Sequence, residues 1–352
     1  MAVLVTGGSG YIGSCTAFAL KEAGEEPIII DNLSATKRWY DATPRNVTAY
    51  FDDIDNTKVI DQIFQKHDIE AIMHFAASVS VAESVTNPEK YYYNNTVKTL
   101  NLIRKAKENN VKHFIFSSTA AVYGNPKTDD PVTEDTPLNP LSPYGSSKMF
   151  AEKILSDIAF QSDLSFMILR YFNVAGADYL ERTGPYTENP THLITVACRV
   201  ALGIIKELPV YGVDYDTKDG SCIRDYIHVN DVVQANIESL RYLRAGGKST
   251  TLNCASGKGT SVLEIIEAIN RFDVIPIKAS VTNRRPGDSP KIIADCSKAN
   301  EILDIDPIFN HLDDIVYSAL EWERKEQRKH TEETKKKISE SLIKRNSKRL
   351  AL

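Results

Sequence analysis

A tyrosine and a lysine stand four positions apart in SPYGSSK, residues 142–148. Ser142 is a favoured N-cap, Pro143 suits the first position of a helix, and the apolar residues that follow fit a helix with one buried face. Tyr144 and Lys148 are therefore predicted to lie one turn apart on the same side. A free phenol has a pKa of about 10, so a tyrosine acts as a base near neutral pH only beside a cation. The spacing predicts a catalytic pair in which Lys148 favours the charged form of Tyr144, or a surface pair without chemistry.

Three hydroxyl side chains, Ser117, Ser118 and Thr119, end the strand candidate before this helix, in FIFSSTAAVYG. The carboxyl ends of strands in open parallel sheets line the ligand crevice. A hydroxyl there can bind the substrate alcohol from which Tyr144 takes a proton while a hydride leaves the same carbon for an acceptor. The pattern indicates oxidation and reduction of an alcohol.

Four glycines follow the first strand candidate in VLVTGGSGYIG, at positions 7, 8, 10 and 13. Gly-x-Gly-x-x-Gly between a strand and a helix is the dinucleotide pattern, in which the backbone approaches a pyrophosphate at the helix N-terminus. A second strand ends in Asp31, 18 residues after Gly13. A carboxylate there can accept both ribose hydroxyls and would repel a 2′-phosphate, so NAD is favoured over NADP. A glycine-rich turn without a ligand is the alternative.

Short apolar runs alternate with helical patterns through the first half of the chain, which predicts crossover units and a parallel sheet. Helices are expected near residues 11–23, 56–67 and 88–109, and the strand candidates are AVLVT, PIIID, VTAYFD, AIMHFA, HFIFSS and LSFMILRYF. Beyond about Asn173, turn-rich segments break the alternation. The predicted fold is α/β, a doubly wound (Rossmann) parallel sheet with a smaller C-terminal α/β substrate domain.

Three regions are expected along the chain. Residues 1–174 are assigned to an NAD-binding domain, residues 175–323 to the smaller substrate domain, and residues 324–352 to a basic tail. The segment at about 225–255 is expected to pack back on the NAD-binding domain. The tail holds 11 Lys/Arg and 4 Asp/Glu, a net charge of +7, whereas the whole chain is at −5. The preceding body is therefore acidic, at −12, which argues against nucleic acid as its main partner.

Composition is that of a globular protein, with 42% hydrophobic and 25% charged residues. No apolar run approaches ~20 residues, and the first residues lack a signal-peptide pattern. The five cysteines are scattered, without a Cys-x-x-Cys pair, which favours reduced thiols. A cytoplasmic protein without a membrane segment is expected. The seven histidines form no ligand-spaced pair, so no metal is expected.

The glycine loop, the strand-end hydroxyl and the Tyr-x-x-x-Lys pair together resemble the extended short-chain dehydrogenases/reductases. Within that group the chain is similar to the UDP-glucose (UDP-galactose) 4-epimerases from Val3 to about Trp322. The segments that carry this resemblance are LVTGGSGYIGS, DNLS, FIFSSTAAVYG, SPYGSSK, LRYFNVAGA, THL, DGSCIRDYIHVNDV and RRPGDSPKIIADCSKA.

The resemblance implies reversible NAD-dependent epimerisation at C4 of UDP-galactose and UDP-glucose through a 4-keto sugar, in an enzyme that is usually a homodimer. It assigns the chemistry to Tyr144, Lys148 and Thr119. The residues it implies for NAD, besides Tyr144 and Lys148, are Gly7, Gly10, Tyr11, Ile12, Gly13, Asp31, Asn32, Asp53, Ile54, Phe75, Ala76, Ala77, Asn94, Ser117 and Phe172. Those it implies for the substrate, besides Thr119 and Tyr144, are Asn173, His192, Leu193, Tyr211, Arg224, Arg285, Asp288 and Ile292.

Three positions depart from the pattern of that family. Val79 stands where many relatives carry a lysine that reaches the nicotinamide ribose, which bears on how tightly NAD is held. Lys98 replaces a glycine in NNTVKT and is expected to change helix packing only. Ile292 is of intermediate size at the position thought to admit or exclude a 2-acetamido sugar, so acceptance of UDP-N-acetylglucosamine stays open.

Activities other than the epimerisation of UDP-galactose and UDP-glucose also have to be weighed against these motifs. A 4-epimerase of UDP-N-acetylglucosamine or UDP-glucuronate fits the same motifs. Sugar 4,6-dehydratases carry Asp-Glu after the strand-end threonine, whereas Ala120 and Ala121 stand here, which argues against dehydration. A non-catalytic NAD-binding sensor would keep the glycine loop, but the joint presence of Thr119, Tyr144 and Lys148 argues against it.

The basic tail contains KHTEETKKKISESLIKR, which resembles a short helical DNA-binding module found beside homing endonucleases. Lys335, Lys336 and Lys337 can make weak contacts with nucleic-acid phosphates without sequence specificity. A solvated basic tail without a particular partner is the alternative.

Overall fold

The computed structural model describes residues 1–35, 43–126, 128, 130–187, 189–272, 274–285, 288–305 and 307–350, with side chains of the last helix up to Lys329 and at Thr331 and Glu332. Its strands are β1 (Ala2–Thr6), β2 (Glu26–Ile30), β3 (Thr48–Tyr50), β4 (Ile69–His74), β5 (His113–Thr119), β6 (Ser165–Tyr171), β7 (Asn173–Ala175), β8 (Leu208–Tyr211), β9 (Ile223–His228), β10 (Thr250–Cys254), β11 (Gly259–Ser261), β12 (Ala279–Thr282) and β13 (Lys291–Ile292).

The helices alternate with the strands through the first half of the chain, as predicted. They are α1 (Tyr11–Glu22), α2 (Thr57–Lys66), α3 (Val81–Thr86), α4 (Pro88–Tyr91), α5 (Lys98–Glu108), α6 (Pro143–Phe160), α7 (Leu193–Ala201), α8 (Val229–Arg244), α9 (Val262–Asn270), α10 (Ser297–Leu303) and α11 (Leu312–Leu350). A π-helical turn spans Tyr92–Val97, and a 3-10 turn spans Ala120–Val122.

Seven strands form one parallel sheet in the order β10-β6-β5-β4-β1-β2-β3. The chain moves outward from β1 through β2 to β3, and then returns to β4 on the other side of β1. The carboxyl ends of β1 and β4 therefore flank a topological switch point, where open parallel sheets bind ligands. The predicted doubly wound fold is confirmed.

Helices cover both faces of this sheet, which is why its strands are apolar at successive positions. Side chains alternate along a strand, so Val3 and Val5 pack with α1, α8 and α10 on one face. Leu4 packs with α2, α5 and α6 on the other face. The two cores hold the strand ends, and with them the predicted site residues, in place.

Short strands beyond Asn173 form separate sheets. Strands β11, β9 and β13 pair in that order, β7 pairs with β9 as well, and β12 pairs with β8. Helix α8 packs on α1, and β10 pairs with β6, so these two elements belong to the layers of the large sheet. The domain boundaries at residues 174 and 323 stay predictions.

Helix α6 begins as the sequence predicts. Ser142 caps it by accepting a hydrogen bond on Oγ from the Gly145 N–H at 3.2 Å, and Pro143 occupies the first turn. A Cβ on Gly145 would lie 2.6 Å from the carbonyl oxygen of Ala121. Glycine is therefore needed for the helix start to rest directly on the turn that follows β5.

The helix expected over residues 88–109 is three segments, because a π-helical turn lies between α4 and α5. This turn contacts α6: Asn95 Nδ2 donates to Ser147 Oγ at 3.1 Å, and Thr96 Oγ1 donates to the Ser147 carbonyl oxygen at 2.9 Å. Such turns are frequent at functional sites. Here it joins the catalytic helix to the neighbouring helical layer.

The last helix is anchored through its first turns. Trp322 is fully buried, with its ring 5.1 Å from that of Tyr186. Arg199 of α7 donates from Nε to Glu323 at 2.7 Å. Among the described residues, no helix combines the length and apolarity needed to cross a bilayer.

Candidate active site

The three residues predicted to carry the chemistry meet at the carboxyl end of β5. Thr119 is the last residue of that strand, and its hydroxyl acts on the Tyr144 hydroxyl by opposing the rise of the Tyr144 pKa. Thr119 Oγ1 also accepts a hydrogen bond from the Ala121 N–H at 3.1 Å. Because that bond occupies a lone pair, the hydroxyl proton of Thr119 stays available for the phenol oxygen.

Lys148 is buried beneath this pair. Its Nζ donates to the carbonyl oxygen of Ser117 at 2.7 Å and lies 4.8 Å from the centre of the Phe116 ring. Burial lowers the pKa of Lys148 to about 7, against the opposing charge of Glu152. The amine therefore exchanges its proton close to neutral pH.

Burial raises the pKa of Tyr144, and the hydrogen bond with Thr119 only partly opposes this. The expectation that Lys148 favours the charged form of Tyr144 stays a prediction. In this structure the Lys148 amine donates its hydrogen bond to the strand backbone at Ser117. In the absence of another cation, Tyr144 is a neutral phenol.

Glu152 stands four residues beyond Lys148, and the sequence analysis did not single it out. It accepts a hydrogen bond from the Ser118 hydroxyl and forms a buried ion pair with Arg170, 2.7 Å from Nη2 to Oε2. Its i+4 spacing from Lys148 was a signal in the sequence. Glu152 joins α6 to β5 and β6 and supplies the negative charge nearest to Lys148.

The loop after β1 has the shape that a dinucleotide requires. Gly7 has a φ of +68°, and a Cβ there would lie 2.7 Å from the backbone nitrogen of Ala76, so only glycine fits both the turn and the close approach to the loop after β4. Ser9 Oγ is buried without a hydrogen-bond partner among the described residues. A helix N-terminus and an orphaned hydroxyl suit a phosphate, so these residues fit NAD.

Asp31 directly follows the second strand, β2, and holds the rim of this loop. Its carboxylate accepts hydrogen bonds from the Ser9 N–H at 2.9 Å and the Leu33 N–H at 2.8 Å. Burial raises the pKa of Asp31, and these backbone donors oppose the rise. Nearby, Asn32 Nδ2 donates to Asp53 Oδ2 at 2.9 Å, so the residues predicted for the adenosine end do lie together.

The other residues predicted for NAD follow the ends of the same parallel strands. Tyr11 donates its hydroxyl to the Gly176 carbonyl oxygen at 2.6 Å, so this hydroxyl does not face the glycine loop. Val79 is 58% exposed and offers no cation. The remaining positions are Gly10, Ile12 and Gly13 at the start of α1, Ile54 after β3, Phe75, Ala76 and Ala77 after β4, Asn94 in the π-helical turn, Ser117 in β5 and Phe172 after β6.

Four of the residues predicted for the substrate surround β9. Arg224 lies in β9 with Ile292 of β13 as its register partner, and its Nη2 is 3.4 Å from Asp288 Oδ1. Asn173, at the start of β7, donates from Nδ2 to the Asp225 carbonyl oxygen at 2.8 Å. An arginine, an amide and a carboxylate are thus gathered on one sheet.

Two further residues predicted for the substrate form a stacked pair. The guanidinium of Arg285 lies 3.7 Å from the centre of the Tyr211 ring. Its neighbour Arg284 lies 4.1 Å from the Tyr215 ring but also forms an ion pair with Asp214 at 2.7 Å.

The last two predicted substrate residues, His192 and Leu193, lie at the start of α7. In the described part of the chain, no hydrogen bond, ion pair or ring contact joins them to the other substrate residues. They stay predictions.

Asp225 is a fully buried carboxylate beside Arg224 that the sequence analysis left without a role. It accepts hydrogen bonds from Ser256, Gly257 and Ala294, at 2.7 to 3.2 Å. Burial raises its pKa, and these donors oppose the rise. Asp225 therefore fixes β9, and with it Arg224, against the loops that follow β10 and β13.

Comparison with known proteins identifies the family. The model of the NAD dependent epimerase/dehydratase family matches residues 3–255. The chain is 45% identical to a UDP-glucose 4-epimerase of Azospirillum brasilense, over 92% of each chain. It is 41% identical to a UDP-glucose 4-epimerase of Halalkalibacterium halodurans, over 96% of this chain and all of that one.

Solved structures of similar proteins share the whole fold. A UDP-glucose 4-epimerase from Brucella ovis, in complex with NAD, matches with a TM-score of 0.87 and 38% identity over 91% of this chain and 97% of that one. One from Bifidobacterium longum, in complex with NAD⁺ and UDP, matches with a TM-score of 0.86 and 37% identity over 92% and 98%. This chain belongs to the NAD dependent epimerase/dehydratase family, and within it to the UDP-glucose 4-epimerases.

Proposed function

We propose that this protein interconverts UDP-galactose and UDP-glucose by epimerisation at C4, with NAD as its cofactor and a 4-keto sugar as intermediate. The observation that carries the proposal is the meeting of Thr119, Tyr144 and Lys148 at the end of β5, on the same sheet edge as the glycine loop. The relatives named above support the choice of UDP-hexose.

The protein supplies the proton chemistry. Tyr144 takes the proton of the 4-hydroxyl and later returns it, while the Thr119 hydroxyl holds the same oxygen. NAD, when bound, supplies the hydride chemistry at C4, and its positive nicotinamide is the cation that the buried phenol lacks. Lys148 holds the helix that carries Tyr144 against β5 through its hydrogen bond to the Ser117 carbonyl oxygen, and its pKa of about 7 lets the amine change charge near neutral pH.

Binding is divided between the two ends of the site. Ser9 and the N-terminus of α1 take the NAD phosphates, and Asp31 takes the adenosine ribose. Arg224 and Arg285 clamp the UDP pyrophosphate, a role that suits the planar guanidinium. Tyr211 contacts the uracil.

The purified protein with UDP-galactose and no added cofactor provides the test. We expect UDP-glucose to appear in the NMR spectrum, which would establish both the epimerase and retained NAD. Turnover that starts only when NAD is added would indicate weak retention, and Val79 would be the first residue to test. No turnover with NAD present would contradict the proposal for UDP-galactose.

Two alternative substrates are tested in the same assay. Ile292 is only partly buried in β13 beside Arg224, and the pocket size at this position bears on a 2-acetamido group. Faster turnover of UDP-N-acetylglucosamine or UDP-glucuronate than of UDP-galactose would move the assignment to that sugar.

A homodimer is also proposed. Large apolar side chains are exposed on the π-helical turn and on α6, with Tyr93 at 50%, Val97 at 40% and Phe150 at 46%. The rings of Tyr92 and Phe150 lie 6.1 Å apart, so these two elements form one patch. Such a patch marks an interaction surface. A second copy of this chain is the partner that the family resemblance implies. Light scattering should give twice the chain mass, and Phe150→Glu should give the monomer mass.

Cytoplasmic location and a weak nucleic-acid contact complete the proposal. The location is supported by five free cysteines. The contact is supported by the charge of +7 carried by 11 Lys/Arg and 4 Asp/Glu from Arg324 onward. It does not involve the acidic body of the protein.

A further inference from the structure

Lys98, a departure from the glycine of the family pattern, contacts the adenosine end of the site. Its Nζ lies 2.7 Å from Asp53 Oδ2, and the two side chains are 13% and 30% exposed. The expectation that Lys98 changes helix packing only is therefore wrong. The residue is 45 positions from Asp53 in the chain, and α5 brings it to the loop after β3.

The hydrogen bonds of Asp53 leave its carboxylate with one open acceptor position. A carboxylate offers about four such positions. Oδ2 accepts from Asn32 Nδ2 at 2.9 Å and from Lys98 at 2.7 Å, and Oδ1 accepts from the Asp55 N–H at 3.0 Å. Two donors that are distant in the sequence, Asn32 and Lys98, thus restrain the rotation of the carboxylate, and the acceptor position left open among the described residues is on Oδ1.

A donor and an acceptor stand side by side in this loop. The N–H of Ile54, the residue after Asp53, has no partner among the hydrogen bonds of the described residues. A base edge with an amino donor beside a ring-nitrogen acceptor complements this pair, as adenine does. Hypoxanthine, with a carbonyl oxygen beside a ring N–H, presents the reversed pattern.

Other side chains hold the loop against the same helical layer. Tyr93 donates its hydroxyl to Asp55 Oδ2 at 2.6 Å, and Asn101 Nδ2 donates to Asp55 Oδ1 at 2.9 Å. Lys98 Nζ also lies 5.6 Å from the Tyr93 ring centre. The loop is therefore braced at Asp55 without Lys98, so removing the Lys98 amine should leave the backbone of the loop in place.

We propose that Lys98 is a positioning residue for the base of NAD, which keeps the Asp53 carboxylate charged and oriented so that the site prefers adenine to a 6-keto purine. This rests on the proposed function, since it takes NAD as the ligand. Burial raises the pKa of Asp53, but the hydrogen bonds from Lys98, Asp55 and Asn32 outweigh burial and lower it. The proposal stands on the contacts, and the pKa agrees with them.

The test compares four full-length proteins freed of bound nucleotide: the wild type, Lys98→Met, Lys98→Arg and Lys105→Met. Lys105 is the matched control, because it lies in the same helix and pairs with Asp61 over the same 2.7 Å, away from the site. Calorimetric titration gives the Kd for NAD and for nicotinamide hypoxanthine dinucleotide. Thermal unfolding of each protein reports whether it is folded.

We expect Lys98→Met to weaken NAD binding about tenfold and the hypoxanthine analogue much less, so that the preference for adenine shrinks. Lys98→Arg and Lys105→Met should keep the wild-type preference. An unchanged preference in folded Lys98→Met, or equal losses for both dinucleotides, would overturn the inference while leaving the proposed function intact. A wild-type protein that binds neither dinucleotide would overturn both.

Discussion

The Nζ of Lys148 lies 2.7 Å from the carbonyl oxygen of Ser117, so a buried amine ties the catalytic helix to the strand that ends in Thr119. This contact places the Lys148 amine, which titrates near neutral pH, inside the site. It also has a consequence for stability, because burial lowers the pKa of Lys148 in the folded protein to about 7 from the usual value of 10.5.

We predict that Lys148 makes the protein more stable as pH rises from neutral to weakly alkaline. Below pH 7 the amine is charged in both states, and the cost of burying the charge is fully present. Above it, the unfolded chain still holds a proton that the folded protein has released, so the free energy of unfolding increases with pH. Between pH 6.5 and 9 the gain should be roughly 2 kcal/mol relative to Lys148→Met. Urea unfolding of both proteins, freed of NAD, measures the free energy of unfolding at each pH. Parallel pH profiles for the two proteins would refute the lowered pKa of Lys148.

Tyr144→Phe should remove the proton acceptor without changing the shape of the site. We expect turnover of UDP-galactose to fall by roughly 10²- to 10⁴-fold, with NAD content unchanged. The control is Tyr91→Phe, because the Tyr91 ring packs edge-on against Tyr144 at 6.3 Å while its hydroxyl bonds Glu83 and Ser80 instead. NMR turnover and absorbance of released NAD give the two readouts. A Tyr144→Phe enzyme with near-normal turnover would show that the proton acceptor is another group.

Local signals predicted the parts of the site that short segments determine. The cap at Ser142, the turn at Gly7 and the position of Asp31 directly after β2 each follow from residues a few positions apart. Such features depend on backbone conformation and on hydrogen bonds within one turn, which residue type restricts strongly.

The sequence analysis did not predict several contacts between segments that are distant in the chain. Lys98, the first residue after the π-helical turn, contacts Asp53 across 45 positions of the chain, and no spacing rule encodes such a contact. Arg170 and Glu152 were missed for a similar reason, since one lies in a strand and the other in a helix. The direction in which the Tyr144 pKa is shifted also depends on burial, which the sequence analysis did not take into account.

The basic tail should be dispensable for folding and catalysis. Truncation after Gln327 keeps Trp322 and Glu323, whose contacts anchor the last helix, and removes most of the positive charge. We expect unchanged epimerase turnover and earlier elution from heparin. The chain carrying Lys335→Glu, Lys336→Glu and Lys337→Glu should elute early as well, since phosphate-like contacts depend on charge. Equal retention of all three proteins would refute the proposed nucleic-acid contact.

Two adjacent arginines provide a paired test of UDP binding. Arg284 and Arg285 each lie over a tyrosine ring, but Arg284 is already neutralised by Asp214, whereas no carboxylate lies within ion-pair distance of Arg285 among the residues that the structure describes. Arg285 can therefore leave Tyr211 for a pyrophosphate and uncover the ring for the base.

Arg285→Ala should weaken UDP binding by about tenfold or more, because it removes a charge-assisted contact with phosphate. Arg284→Ala should change the Kd by less than about threefold, since the ion pair it breaks lies at the exposed surface. Tyr211→Leu should weaken the binding of UDP and leave the binding of free pyrophosphate unchanged, because only the ring contact with the base is lost. Calorimetric titration with UDP and with pyrophosphate distinguishes these effects. Equal losses of UDP affinity in Arg284→Ala and Arg285→Ala would contradict a specific contact from Arg285. Both arginines would then act only through the electrostatic potential of the protein surface.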